Sequence, residues 1–192
     1  YTGQKTLQMG EGVTASTTLV LDKFGGYTYT AKIEGEEDYV ESGTYSVAEE
    51  AITFTSSAEG AEPVKGTLAN YVVTAEFKIS SSVPLATEII AYASQIQGSF
   101  TAESNDDATG YVGALTLNAD GTYTLSVTKD GTETYAEKGT FTTETSSMGS
   151  NLVLKSEDNL EMSAVISDAS INLTHAVDNK DTGAGFQYTK KQ

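Results

Sequence analysis

A segment of 27 residues occurs twice in the chain, and this duplication limits the possible folds more than any other feature. The first copy, 19–45, is LVLDKFGGYTYTAKIEGEEDYVESGTY, and the second, 115–141, is LTLNADGTYTLSVTKDGTETYAEKGTF. Aligned without a gap, 18–45 and 114–141 share 11 of 28 positions at a spacing of 96 residues. Because 96 is half of 192, the chain is predicted to contain two copies of one unit, 1–96 and 97–192.

Each copy alternates as a strand does and is divided by tight turns. Tyr27, Tyr29 and Ala31 fall on one face of a predicted strand. The Asp120-Gly121 pair supplies the positive φ values that a hairpin turn needs. Continued along the chain, this pattern gives eight strands per unit, spaced as in an all-β sandwich or barrel. The one exception is 84–94, PLATEIIAYAS, which is expected to form a turn or two of helix.

Glycine in the middle of a repeated strand decides between a sandwich and a barrel. Gly43 and Gly139 occupy equivalent positions between strand-forming residues. A glycine there removes a side chain where a sheet bends or where two backbones come close. The fold is therefore predicted to be all-β, with two tandem eight-stranded antiparallel up-and-down barrels.

Composition excludes several classes of function. The chain has 27 acidic residues against 11 lysines and no arginine, for a net charge of −16. Such a chain repels nucleic acid and anionic membrane surfaces, and it has no guanidinium group to clamp an anion. It also has no cysteine, which excludes disulfides and thiolate metal sites.

The order of motifs within each unit resembles a known family. Each unit opens with an aromatic-Thr-small triplet, Tyr1-Thr2-Gly3 or Phe100-Thr101-Ala102, and later contains Tyr-x-Glu-x-Gly-Thr-aromatic. This order resembles the bacterial lipocalin-like, NlpE-like lipoproteins. The resemblance implies small lipocalin-like barrels that are secreted, periplasmic or at the cell surface. It also implies that the only membrane association is a lipid anchor on a removed N-terminal segment.

The chain departs from this family at one motif. NlpE-like domains carry Cys-x-x-Cys between the first and second strands, where this chain has 8–12, QMGEG, and 104–107, SNDD. Copper binding and redox sensing through that motif are therefore not expected here.

Two repeated carboxylates are candidate ligand-binding residues. Glu41 and Glu137 lie on the same strand faces as Tyr39 and Tyr135, so all four side chains are expected to point inward. A buried carboxylate is costly unless it is paired or hydrated. Each one either meets a ligand or water in the lumen, or lies at the barrel end bonded to tyrosine hydroxyls or backbone amides. Recurrence in both units favours the structural role.

His175, the single histidine, is the remaining candidate. It shares a face with Ile171, Leu173 and Val177, and Phe77 replaces it in the first unit. A lone histidine in place of an aromatic residue is predicted to pack in the barrel wall with one nitrogen satisfied. A ligand or catalytic role is the alternative.

No catalytic residue, cofactor or metal site is expected. The acidic clusters 34–38, 106–107 and Asp178 with Asp181 lack the spacing of a calcium loop and are predicted to be solvated turns. No Gly-x-Ser-x-Gly elbow surrounds any serine. The chain is therefore not expected to be an enzyme.

Two functions remain open from the sequence. The leading hypothesis is a non-catalytic extracytoplasmic module that binds a small apolar or carbohydrate ligand, since the 11 tyrosines could line a cavity. The alternative is a structural or protein-contact module with filled barrels that meets an envelope or host protein. Filled barrels are consistent with the same tyrosines, because an eight-stranded interior is about wide enough for side chains alone.

Overall fold

The computed structural model describes residues 1–10, 12–81, 85–103, 110–146, 149–167, 170–178 and 183–190. These residues fold into two compact units, Tyr1–Ser94 and Gln95–Gln192. Both units are built from antiparallel strands, and the described part of the chain contains no helix that is long and apolar enough to cross a membrane.

The first unit contains eight strands. Strands β1 to β8 are Thr2–Gly10, Val13–Leu21, Gly26–Ile33, Tyr39–Ala48, Ala51–Ser56, Val64–Ala69, Val72–Lys78 and Ala86–Tyr92. Each strand pairs with the next, and β1 meets β8 through Thr2 and Tyr92, which closes the barrel. The Lys5 Nζ atom donates to the carbonyl oxygen of Glu88 at 2.7 Å across this closing seam.

The second unit repeats the same order. A single 3₁₀ turn, Ser94–Ile96, precedes strands β9 to β16, which are Gly98–Glu103, Tyr111–Leu117, Thr122–Lys129, Thr132–Ser146, Gly149–Ser156, Glu161–Ser167, Ser170–Ala176 and Gly183–Lys190. Strand β9 pairs with both β10 and β16 and closes the second barrel. The predicted pair of eight-stranded antiparallel up-and-down barrels is therefore confirmed.

The interiors are filled by side chains from alternate strand positions. In β2 and β3, every second residue is buried, as expected for strands with one face toward a core. The first barrel is packed around Phe54 and Phe77, whose ring centroids are 5.1 Å apart. The largest fully buried side chains of the two units are Tyr29, Tyr123, Tyr188, Phe54, Phe77, Phe141, Phe186, Leu19, Ile52, Ile79, Ile89 and Ile96.

The two repeated glycines lie where neighbouring backbones almost touch. A Cβ atom at Gly43 would stand 2.0 Å from the carbonyl oxygen of Thr55, and one at Gly139 would stand 2.0 Å from that of Lys155. No real Cβ contact is so short, so any larger residue would push β4 from β5 or β12 from β13. The prediction that a close approach requires glycine at these positions is confirmed.

The predicted helix at 84–94 is wrong. Strand β8 occupies most of this segment, and the helical turn comes later, at Ser94–Ile96. Ile89 and Ala91 point inward and are fully buried. Because β8 is the strand that closes the barrel, the ladder that it forms with β7 and β1 outweighs the helix propensity of the segment. Pro84 lies outside the described residues.

We expect Gly43→Ala and Gly139→Ala each to lower the free energy of unfolding by about 2–4 kcal/mol, because the added Cβ must displace a paired strand. Gly185→Ala is the matched control, since a Cβ there meets nothing within 4 Å. It should change the free energy by less than about 1 kcal/mol. Urea unfolding followed by circular dichroism measures all three, and equal effects would contradict the close-approach explanation.

Candidate functional site

A carboxylate held by two tyrosines lies at one end of the first barrel. Glu41 accepts a hydrogen bond from the Tyr27 hydroxyl at 2.6 Å on Oε1 and from the Tyr39 hydroxyl at 2.8 Å on Oε2. Gly43 faces Tyr27 across the β3–β4 ladder, so the Tyr27 side chain can extend past it toward Glu41. We call this arrangement the Tyr–Glu–Tyr cluster.

Burial and the neighbouring carboxylate keep both phenols protonated. Burial, followed by the hydrogen bond to Glu41, raises the pKa of Tyr27 and raises the pKa of Tyr39 to about 12. Both tyrosines are therefore donors at neutral pH. A carboxylate has about four acceptor positions, so Glu41 can accept further hydrogen bonds after these two.

The second barrel contains an equivalent Tyr–Glu–Tyr cluster. Glu137 accepts hydrogen bonds from the hydroxyls of Tyr123 and Tyr135, at positions related to Tyr27 and Tyr39 by the 96-residue repeat. The sequence left open whether each carboxylate would be bonded to tyrosine hydroxyls, and both are.

His175 is buried, with 4% of its surface exposed, and both of its ring nitrogens are engaged. Nδ1 lies 2.7 Å from the carbonyl oxygen of Ala176, which fixes Nδ1 as the protonated nitrogen. Nε2 lies 2.7 Å from the Tyr188 hydroxyl and therefore accepts a hydrogen bond from it. Burial lowers the pKa of His175, which favours this neutral tautomer. His175 is thus packed in the wall of the second barrel, where its ring stacks on Phe186 at 4.4 Å.

Room for the Tyr188 side chain comes from a glycine. A Cβ at Gly113 would lie 2.2 Å from the Tyr188 hydroxyl oxygen. Gly113 corresponds to Thr17 of the first barrel by the 96-residue repeat. Tyr188 corresponds to Ala91, which has the same place in the pairing between the last two strands of its barrel. The second barrel therefore has a large wall residue in place of a small one, and the glycine that leaves room for it lies on β10, which is separated from β16 by β9.

The first barrel fills the corresponding space with Tyr29, where the second barrel has Leu125. The Tyr29 ring stacks on Phe77 at 4.5 Å between centroids and is fully buried. Among the described residues its hydroxyl has no hydrogen-bond partner. Tyr29 lies beside the Tyr–Glu–Tyr cluster, opposite Glu41 in the β3–β4 ladder, and burial, followed by the nearby Tyr39 and Glu41, raises its pKa.

A cleft of about 540 Å³ opens beside Glu41 and Tyr39. Strand β5 ends at Ser56, before it can cover the start of β4, and the connection to β6 forms the opposite wall. Val64 contributes an apolar surface, and the exposed Lys65 and Lys78 contribute charged ones. No sequence pattern marks this cleft, because it depends on where β5 ends.

The structure places the five candidate residues in two groups, one in each unit. Tyr39 and Glu41 belong to the first cluster, and Tyr135 and Glu137 belong to the second, where the Tyr135 ring lies 6.5 Å from that of His175. In the described ranges no three His, Asp or Glu residues are close enough to hold a metal ion. The acidic turn 34–38 is exposed and Asp178 is half-buried, whereas 106–107 and Asp181 lie outside the described residues.

These observations define the chain as a tandem of eight-stranded antiparallel up-and-down barrels, each with one Tyr–Glu–Tyr cluster. No protein-family model and no curated protein matches it. Among solved structures, it is similar to the crystal structure of the Cpx pathway activator NlpE from Escherichia coli. The TM-score is 0.30 and the sequence identity 13%, over 98% of this chain and 90% of that chain. The repeat motifs, which resemble NlpE-like lipoproteins, implied barrels in both halves, and the strand pairing confirms them.

The same substitution should have opposite effects in the two barrels. Tyr29→Phe removes a buried hydroxyl without a partner and should raise the free energy of unfolding by about 1 kcal/mol. Tyr188→Phe removes a hydrogen bond and leaves Nε2 of His175 buried alone, so it should lower the free energy by about 1–3 kcal/mol. Urea unfolding measures both values, and a loss of stability in Tyr29→Phe would show that its hydroxyl is already satisfied.

Proposed function

We propose that the chain is a non-catalytic extracytoplasmic binding module whose first barrel takes a small ligand with an apolar body and a polar group. The observation that carries this proposal is the cleft of about 540 Å³ beside the half-buried Glu41 and Tyr39. Such a site combines a concave surface with a few placed polar groups, as small-molecule sites in proteins do.

The end of the first barrel at which this cleft lies has an apolar rim. We call it the open end. Its rim consists of Met9, Ile33, Tyr39 and Val64, which lie together because β1 and β3 finish at this end and β4 and β6 start there. All four side chains are half-buried against the core. Half-buried apolar side chains gain from being covered, so the rim favours an apolar ligand body over a carbohydrate.

Packing below the rim restricts the ligand to the open end. Phe54 and Phe77 are fully buried, and Tyr27 lies with its ring 5.1 Å from that of Phe54. These rings fill the interior at the level of the Tyr–Glu–Tyr cluster. A ligand would therefore rest on Glu41 and Tyr39 instead of entering a deep calyx.

The hydrogen bonds of His175 support a non-catalytic role. This single histidine is engaged by Tyr188 and by the carbonyl of Ala176, so neither ring nitrogen is presented to a substrate. A general base must be within hydrogen-bond reach of the proton that it removes.

The extracytoplasmic location rests on the resemblance of the repeat motifs to bacterial lipoproteins. We expect the gene to encode, upstream of Tyr1, a signal peptide that ends in a lipobox cysteine. Sequencing of the upstream coding region, followed by labelling of cells with a radioactive fatty acid, checks this expectation. A gene without an export signal, whose product stays in the cytoplasm, would contradict it.

A structural or protein-contact module is the second candidate, and the packing of the second barrel favours it for that unit. The Thr134 hydroxyl bonds to the carbonyl oxygens of Val127 at 3.3 Å and Val177 at 2.6 Å, which ties together strands at the end that is open in the first barrel. With Tyr188 and His175 also filling its interior, this unit offers its outer surface and loops for contact.

A neutral apolar dye tests the proposed site. N-phenyl-1-naphthylamine should bind the wild-type chain with a rise in fluorescence, and Val64→Trp should weaken binding at least about tenfold, because the indole fills the cleft. Met162→Trp, at the matching position of the second barrel, should leave the affinity unchanged. Absence of dye binding to the wild type, or equal losses in both variants, would favour the protein-contact module.

A further inference from the structure

Glu41 forms no ion pair among the described residues, although Lys65 and Lys78 line the same cleft. Its partners are the Tyr27 and Tyr39 hydroxyls, which are neutral donors. Elsewhere in the first barrel, the Lys32 Nζ atom lies 2.8 Å from Oδ2 of Asp38, in an ion pair between two exposed side chains. A half-buried carboxylate with spare acceptor capacity favours a ligand that brings positive charge and N–H donors.

The hydroxyl of Tyr29 is a second, independent indication of a ligand. Tyr29 stands directly opposite Glu41 in the β3–β4 ladder, and its ring lies 6.3 Å from that of Tyr39. The side chain is fully buried, and its hydroxyl lacks a partner within the described residues. A buried hydroxyl in this state costs free energy, which a hydrogen bond from a bound group would recover.

The charge around the open end is negative on balance, since Glu41, Glu62 and Glu76 line the cleft against Lys65 and Lys78. A neighbouring cleft of about 490 Å³ shares Tyr39 and is lined by Glu36, Glu37 and Asp38. The chain as a whole has a net charge of −16. A field of this sign raises the local concentration of small cations and speeds their association.

We propose that the open end of the first barrel binds an organic ammonium ligand, a primary amine on an aromatic or alkyl body. The ammonium group donates to the two carboxylate oxygens of Glu41, which lines the cleft, and past them to the hydroxyl oxygen of Tyr29, which lies opposite Glu41 below the cleft surface. The face of the Tyr39 ring offers a further attraction for the cation. The apolar body covers Val64 and the rest of the rim. This assignment rests on the proposed function and names the class of ligand for that site.

The described residues of the second barrel lack one element of the proposed site. Its Glu137 has the same two kinds of tyrosine partner, but Leu125 stands where the first barrel has Tyr29. At the corresponding end the Thr134 hydroxyl bonds to the carbonyl oxygen of Val177, and both ring nitrogens of His175 are engaged. Glu137 therefore provides a matched control for Glu41.

Two probes of nearly the same shape test the assignment. At pH 7 and low salt, 2-phenylethylammonium should bind at least about tenfold more tightly than neutral 2-phenylethanol, since a charge-assisted bond is worth that factor. Displacement of N-phenyl-1-naphthylamine measures both affinities. Glu41→Gln should abolish the preference for the ammonium probe, and Glu137→Gln should retain it. Calcium chloride at the same concentration should not compete, because it lacks an apolar body.

Tyr29→Phe keeps the test decisive if Glu41→Gln fails to fold. This variant leaves Glu41 intact and should weaken binding of 2-phenylethylammonium several-fold while binding of 2-phenylethanol changes less. Equal affinities for the two probes in the wild type, or a preference that survives Glu41→Gln, would overturn the assignment. If the wild type binds the dye but binds the two probes equally, the proposed small-ligand site stands and the ammonium assignment fails. If the wild type does not bind the dye, both proposals fail.

Discussion

The close approach of two backbones at Gly43 and at Gly139 is the constraint on which the rest of each barrel depends. Because neither position has room for a Cβ, the sheet can curl sharply there and close on itself with only eight strands. The same missing side chain lets Tyr27 reach across the ladder to Glu41. Curvature and the polar cluster therefore have one cause, which explains why glycine, tyrosine and glutamate recur together at the 96-residue spacing.

Within this shared wall, the two interiors are filled by different side chains. The second barrel places Tyr188 against Gly113 and gives its hydroxyl to His175. The first barrel instead uses Tyr29, stacked on Phe77. Interiors are packed nearly as densely as organic crystals, so a large residue gained on one strand requires a small residue on another. The difference in hydrogen bonding follows from this exchange, since among the described residues the Tyr188 hydroxyl has a partner and the Tyr29 hydroxyl has none.

The duplication made the fold predictable, whereas the interior depended on contacts that the sequence does not reveal. The repeat register and the mid-strand glycines were sufficient for tandem barrels and for inward-pointing Glu41 and Glu137. The segment 84–94 misled because an apolar run without clear alternation suits either a helix or a buried strand, and barrel closure decides between them. Tyr188 could not be assigned to His175, because the pair meets only through the curvature and stagger of adjacent strands.

A duplicated domain can divide stability and binding between its copies. A binding site keeps polar groups that are incompletely satisfied until a ligand arrives, and such groups reduce the stability of the free protein. In the second barrel, Tyr188, His175 and Thr134 satisfy one another or nearby carbonyls, as suits a unit that contributes a stable framework. In the first, Tyr29 has a hydroxyl without a partner among the described residues, opposite Glu41, which forms no ion pair there. The proposed ligand site in the first barrel rests on this difference between the two units.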